Sequence, residues 1–183
     1  ALSPSRVNLY LDFAEALFRF AEHNNYIKLN PFSGLKIPDK GRRADELRDA
    51  FDSDDLEKLF VSSKEYGQDG HLHPHNFWIP LLGLYTGCRL EEICQLYISD
   101  IKQVEGIWVL DINEDMPDKS VKTHERRLVP LHPFVAEELR FIDFSKGLSD
   151  QKGRVFPNLK RINDRYGHAV SQWFGRFCKR CGI

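Results

Sequence analysis

Apolar positions recur at helical spacing at the start of the chain, where Leu9, Phe13, Ala16, Leu17, Phe20 and Ala21 form one stripe of a helix over residues 3 to 26. Ser3 is placed as its N-cap, Pro4 fits the first helical position, and Asn24-Asn25 ends it. One amphipathic helix must pack against something, so this segment reads as part of a larger unit. A second helix opens at Phe51-Asp52-Ser53-Asp54-Asp55-Leu56, with Asp52 or Ser53 as cap and acidic residues at the positive end of the dipole. Phe77 to Tyr85 is hydrophobic nearly all round, which marks a core helix. Thr86-Gly87 breaks it. Leu90, Ile93, Cys94, Tyr97 and Ile101 then return at helical spacing, predicting another buried helix with Arg89 in its first turn.

Beyond residue 100 the period changes from helical to alternating. Residues 100–104 and 107–112 read as two strands joined by the two-residue turn Glu105-Gly106, and Met116-Pro117-Asp118 breaks the second. A third strand, 127–131, carries a proline tolerated only at an edge or a strand end. Pro133 starts a further helix with Leu139 and Ile142 on its apolar face. A last helix, about 166–181, buries Ala169, Trp173, Phe174 and Phe177. The expected fold is therefore α+β and mainly helical, with helices around a small three-stranded antiparallel sheet, preceded by an N-terminal helix.

Composition adds bounds. The 183 residues are 42% hydrophobic and 29% charged, enough for an ordinary core in one domain or one domain and part of another. A net charge of −1 argues against a strongly basic nucleic-acid binder, but the charge is segregated: nine acidic against three basic residues in 44–69, and eight basic against one acidic in 151–183. No apolar run reaches membrane-spanning length and no signal-peptide pattern opens the chain, so a cytoplasmic protein with no membrane partner is expected. Cys178 and Cys181 have the spacing of half a zinc site without a second half, and read as a helical pair filling apolar gaps. His71, His73 and His75 read as a solvated loop, so neither metal nor cofactor is expected.

The chemistry concentrates on Arg89. A guanidinium where a helix begins can join free backbone N–H groups in holding a phosphate, and Glu92, three residues on, can reach back to hold the arginine. The plainer reading is a surface ion pair. The flanks shift the balance between them: Leu82-Gly-Leu-Tyr-Thr86-Gly87-Cys-Arg89-Leu-Glu-Glu92-Ile93, then Leu96 and Asp100-Ile101, resembles the first active-site box of the tyrosine recombinases (phage-type integrases), a hydrophobic helix followed by Thr-Gly-x-Arg-x-x-Glu-Ile/Leu. Phe20 to Ile27 followed by Asn30-Pro31-Phe32 resembles the close of that family's helical core-binding domain, Phe51-Asp-Ser-Asp-Asp-Leu56 resembles the start of its catalytic domain, and residues 153–157 resemble the short strand that precedes the family's next helix. The implied organisation is the end of a core-binding domain (1–36), a linker (37–50) and a catalytic domain (51–183) that stops short of the family's C-terminal part.

The resemblance implies a function: site-specific DNA strand cleavage and rejoining through a 3′-phosphotyrosyl intermediate, metal-free, on double-stranded DNA, with a tetrameric synapse in the full-length protein. No small-molecule substrate is implied, and a bacterial or phage origin fits. Arg89 would be the first transition-state arginine with Glu92 supporting it. The family's catalytic lysine lies in the loop after the second strand, where Lys122 fits the pattern and Lys119 is the nearest competitor. Arg42 and Arg43 in the linker and Lys119, Thr123, Arg126 and Arg127 in the loop would meet DNA, although a solvated hinge and a solvated turn are equally open readings of those segments. The second box, His-x-x-Arg, and the nucleophilic tyrosine are expected beyond Ile183, none of the six tyrosines present standing in a matching context. The chain by itself is then expected to be inactive. The alternative is a DNA-binding or protein-interaction module of the same fold without catalysis; a zinc protein using the histidine cluster and the cysteine pair is a third reading.

Overall fold

The structure is a computed structural model and describes residues 2–38, 50–67 and 73–183. The chain divides into two compact units, residues 1–50 and 51–183. In the first, helix α1 (Pro4–His23) begins as the sequence dictates, with the Ser3 Oγ accepting from the Arg6 N–H at 3.3 Å and Pro4 in the first turn. The return segment lies back along α1. Asn8 exchanges two hydrogen bonds with the Ile37 backbone, the buried Asn30 donates to the Glu15 carbonyl, and Phe32 packs on Phe18 at 4.8 Å. The apolar stripe is not covered by the described residues: Phe13, Leu17 and Phe20 each keep over 60% of their surface exposed.

The second unit is built on α3 (Pro74–Thr86), which supplies Trp78, Ile79 and Leu82 to the core, and α2 (Ser53–Phe60) contributes the fully buried Leu59. Asp52 caps α2, accepting from the Asp55 N–H at 2.8 Å. Pro74 occupies the first turn of α3, so His75 is helical and half-buried rather than in the solvated loop expected; His71 lies outside the described residues. At the other end Gly87 takes φ +64, the left-handed C-cap that glycine adopts without a Cβ penalty.

The helix after the break is shorter than its periodicity predicts. Helix α4 spans only Leu90–Cys94, and the chain turns through a 3-10 segment (Ile98–Asp100) into strand β1 (Ile101–Val104). The Asp100 carboxylate caps that turn by accepting from the Tyr97 N–H at 2.8 Å, a local bond that competes with helix continuation. Strands β1, β2 (Ile107–Ile112) and β3 (Arg127–Pro130) form an antiparallel sheet in that order, with Val104 opposite Ile107 and Asp111 opposite Leu128. Glu105 and Gly106 both take positive φ, as a type I′ hairpin turn requires. Central β2 is buried from Val109 on, and Pro130 ends an edge strand. The single helix expected after Pro133 is two pieces, a π-helical turn (Phe134–Glu138) and α5 (Phe141–Lys146), separated by Arg140 at φ +63. Residues 153–157 make one isolated bridge, Tyr97 to Arg154, in place of a strand. Helix α6 (His168–Arg180) buries Val170 and Phe177, while Ala169, expected inside, is exposed. No helix among the described residues is long and apolar enough to cross a membrane.

Candidate nucleic-acid interface and active site

Arg89 is the N-cap of α4, in extended conformation, directly after the Gly87 turn. Its side chain is half-exposed, whereas that of Glu92, one turn on, is 2% exposed. The Glu92 carboxylate accepts from the Arg89 backbone N–H at 2.9 Å and from the Arg89 Nη1 at 2.9 Å. Arg127, at the start of β3, donates to both oxygens of the same carboxylate. A buried carboxylate thus orients two guanidiniums. Burial pushes the Glu92 carboxyl up, but the hydrogen bonds from Arg127 and Arg89 outweigh it and hold the group below its usual range. Helix α4 is too short for a strong dipole, so the side-chain clamp, rather than the helix end, positions Arg89.

Lys122 is exposed at the tip of the loop between β2 and β3, and the residues beside it hold the loop on the domain. Buried Gln95 donates its amide to the Ser120 carbonyl and accepts from the Ser120 N–H, each at 2.9 Å. Val121 is buried, and Glu114 accepts from its N–H and pairs with His124. Arg89, Glu92, Ser120 and Lys122 line one open cleft of about 1070 Å³, together with Asn163, Arg165 and His168.

The other loop cations take different positions. Lys119 is buried, its Nζ 2.7 Å from both Asp100 and Asn113, so it is an interior cation tying the loop to β2 and not a surface contact or the cleft lysine. Arg126 makes a two-pronged pair with the buried Asp111, which Lys102 also joins; hydrogen bonding to Arg126 outweighs burial and pulls the Asp111 carboxyl down to about 2. Arg127 is bound to Glu92, Thr123 is exposed at the loop tip, and Arg42 and Arg43 lie outside the described residues. A His-x-x-Arg string does occur within the chain, His124-Glu125-Arg126-Arg127, which the expectation of a second box wholly beyond Ile183 passes over. It runs from the loop into β3 with both arginines on carboxylates, so it is not a helical box facing the cleft.

Sequence reasoning missed Glu91. Its carboxylate accepts from the backbone N–H groups of Tyr166 and Gly167, at 2.6 and 2.9 Å, fastening the chain ahead of α6 to α4 across 75 residues of sequence. The Tyr166 ring lies under the Arg154 guanidinium at 4.0 Å. Tyr166 and Tyr97 both donate to Asp118; burial first, and that carboxylate second, raise both hydroxyls, Tyr97 to about 12. Both phenols anchor the surrounding loops through that carboxylate. Among the described residues no group of three or more His, Cys, Asp or Glu is placed to hold a metal, and the His73 and His75 rings stand 5.5 Å apart.

The second unit is a mainly helical domain around a three-stranded antiparallel sheet, the fold that the resemblance to the tyrosine recombinases implies. Over its whole length the chain is similar in structure to the integrase from mycobacterium phage Brujita, with a TM-score of 0.51 and 17% identity, and it spans 54% of that protein. It is also similar to the XerA recombinase, with a TM-score of 0.47 and 17% identity over 99% of the chain and 62% of the recombinase. At such identities the similarity is one of fold. No protein-family model and no curated protein matches the sequence.

Proposed function

We propose that this chain carries part of the catalytic machinery of a site-specific DNA recombinase that cuts and rejoins duplex DNA through a 3′-phosphotyrosyl bond. The observation that supports it is the convergence on one open cleft of Arg89, oriented by a buried carboxylate, and Lys122, which has no carboxylate partner among the described residues. In this reading a tyrosine hydroxyl from outside residues 1–183 attacks the scissile phosphorus. A P–O bond to the tyrosine forms as the bond to the 5′-oxygen breaks. Arg89 stabilises charge on the non-bridging oxygens in the transition state, and Lys122 gives its proton to the departing 5′-oxygen. The full-length enzyme would act as a tetramer on paired sites, and the 183-residue chain alone would bind DNA without forming a covalent adduct. The test is a titration of the chain with a labelled duplex, followed by denaturing electrophoresis. Salt-sensitive binding without an adduct is expected; salt-independent binding or none overturns the reading, and a covalent adduct overturns the assignment of the nucleophile.

A further inference from the structure

The lining of the cleft also includes a turn, Ile162 to Arg165. Residues 160–165 read Lys-Arg-Ile-Asn-Asp-Arg, and Asn163 and Asp164 both take left-handed φ, +48 and +60. Ile162 and Arg165 exchange two backbone hydrogen bonds across them, at 2.8 and 3.0 Å, which closes a type I′ turn. The base of the turn is fixed three ways: Glu91 holds the Tyr166 and Gly167 N–H groups, Tyr166 donates to Asp118, and Arg154 stacks on the Tyr166 ring. The turn is therefore fixed at its base where it lines the cleft, with Ile162 44% exposed. Its cations differ in availability. Arg161 leans on Asp164 at 3.3 Å, whereas exposed Arg165 has no carboxylate partner among the described residues. Lys122, on the same cleft, likewise has none, while Arg126 and Arg127 are bound to Asp111 and Glu92.

We propose that the 160–165 turn is a DNA-backbone contact, with Arg165 on a phosphate of the duplex that occupies the cleft and Asp164 limiting the affinity by its charge. The proposal rests on the recombinase reading above and adds a second contact on the cleft that Lys122 lines. A rigid turn suits the task because a pre-formed tip loses little conformational entropy when a phosphate seats on it. Its guanidinium exchanges water for a fork of charge-assisted bonds, and the phosphate releases its counterion.

The test uses the 183-residue chain and a short fluorescein-labelled duplex, titrated by anisotropy over a range of salt. Arg165→Gln should weaken binding about eightfold near 0.1 M salt and lower the log–log salt slope by about 0.9, the share of one phosphate counterion. Asp164→Asn, which leaves a residue well suited to positive φ, should tighten binding several-fold. Arg140→Gln, an exposed arginine paired with Asp143 on another part of the unit, is the control for net charge and should leave the slope unchanged. Circular dichroism of each variant shows whether the fold is retained. If the wild-type chain binds with a salt-dependent slope that Arg165→Gln does not alter, or if Arg140→Gln lowers it equally, the turn is not a contact although the recombinase reading stands. A chain that does not bind duplex at all removes both. Preference for single-stranded over duplex DNA of equal length would reject the duplex as occupant.

Discussion

Replacing Glu92 tests the clamp at its centre. Glu92→Ala removes the acceptor of two guanidiniums and of the Arg89 backbone N–H in one step. Breaking a fully buried ion pair costs about 3–5 kcal/mol because the abandoned charge stays desolvated. Here the abandoned partners keep 49% and 37% of their side-chain surface in water, so they rehydrate, and the expected loss is about 2–3 kcal/mol. Glu92→Gln keeps the shape and one acceptor and should cost about 1–2 kcal/mol. All three tryptophans, Trp78, Trp108 and Trp173, lie in the 51–183 unit, so urea unfolding followed by tryptophan fluorescence reads that unit alone.

The pH dependence gives the prediction a sign. The Glu92 carboxyl is held below its usual range, so its stabilisation is complete above the unfolded carboxylate pKa, near 4.3, and disappears as the pH falls through the lower folded value. The gap between wild type and Glu92→Gln should be full at pH 7 and narrow below about pH 4. A Glu92→Ala protein within about 0.5 kcal/mol of wild type at pH 7, the range of an ordinary surface substitution, would show that the carboxylate does not hold the arginines in solution.

Other outcomes follow from neighbouring contacts. A Cβ at Gly167 would meet Leu90 Cγ at 2.9 Å and Glu91 Oε2 at 3.1 Å, so Gly167→Ala should destabilise the same unit by about 1–3 kcal/mol in the urea assay; a neutral result would mean α6 can shift away from α4. Asp111, pulled down to about 2 by Arg126 and Lys102, should contribute about 1–2 kcal/mol above pH 4, discounted for its half-exposed partners and lost between pH 4 and pH 2; a wild type and Asp111→Asn pair with parallel acid unfolding would contradict this. In a full-length protein, Arg89→Ala should lower the cleavage rate about 10²- to 10³-fold. Lys122→Ala should be rescued by a substrate with sulfur at the 5′-bridging position, since a thiolate departs without a proton, whereas Arg89→Ala should not; rescue of neither would remove the general-acid role.

The parts legible in the sequence were those encoded locally. Ser3-Pro4, the Asp52 cap, Thr86-Gly87 and Glu105-Gly106 each state a backbone conformation within a few residues, and each is where it was expected. Failures arose where distant contacts overrode the local pattern. Tyr97 and Ile101 keep helical spacing from Leu90, yet the Asp100 cap and pairing of Ile101 with Leu110 draw them into a turn and a strand. Arg140 in a left-handed conformation interrupts the helix after Pro133, and no residue-type preference announces it. Charge alone could not separate Lys119 from Lys122. The difference is made by Asp100 and Asn113, whose carboxylate and amide oxygens give one ammonium an interior partner and leave the other in water. Glu91 had no local signal, because its partners stand far along the chain while Arg89-x-x-Glu92 supplies a motif one residue away.

The ion pairs also bear on how a chain of net charge −1 could offer the proposed cleft for a polyanion. Three of the four cations between Lys119 and Arg127 are paired with Asp100, Asp111 and Glu92, and these pairs fix the hairpin. Fixing the hairpin is what places Lys122, whose neighbours Ser120 and Val121 are held by Gln95 and Glu114. Arg89 is held in the same way, from beneath, by a carboxylate that Arg127 already neutralises in part. Without Arg127, Glu92 would offset most of the Arg89 charge; with it, two guanidiniums share one carboxylate, and a net positive charge remains at the site. In the proposed reaction that surplus is what a phosphate gathering negative charge requires, and its orientation is set before the substrate arrives, so little reorganisation is left for the transition state.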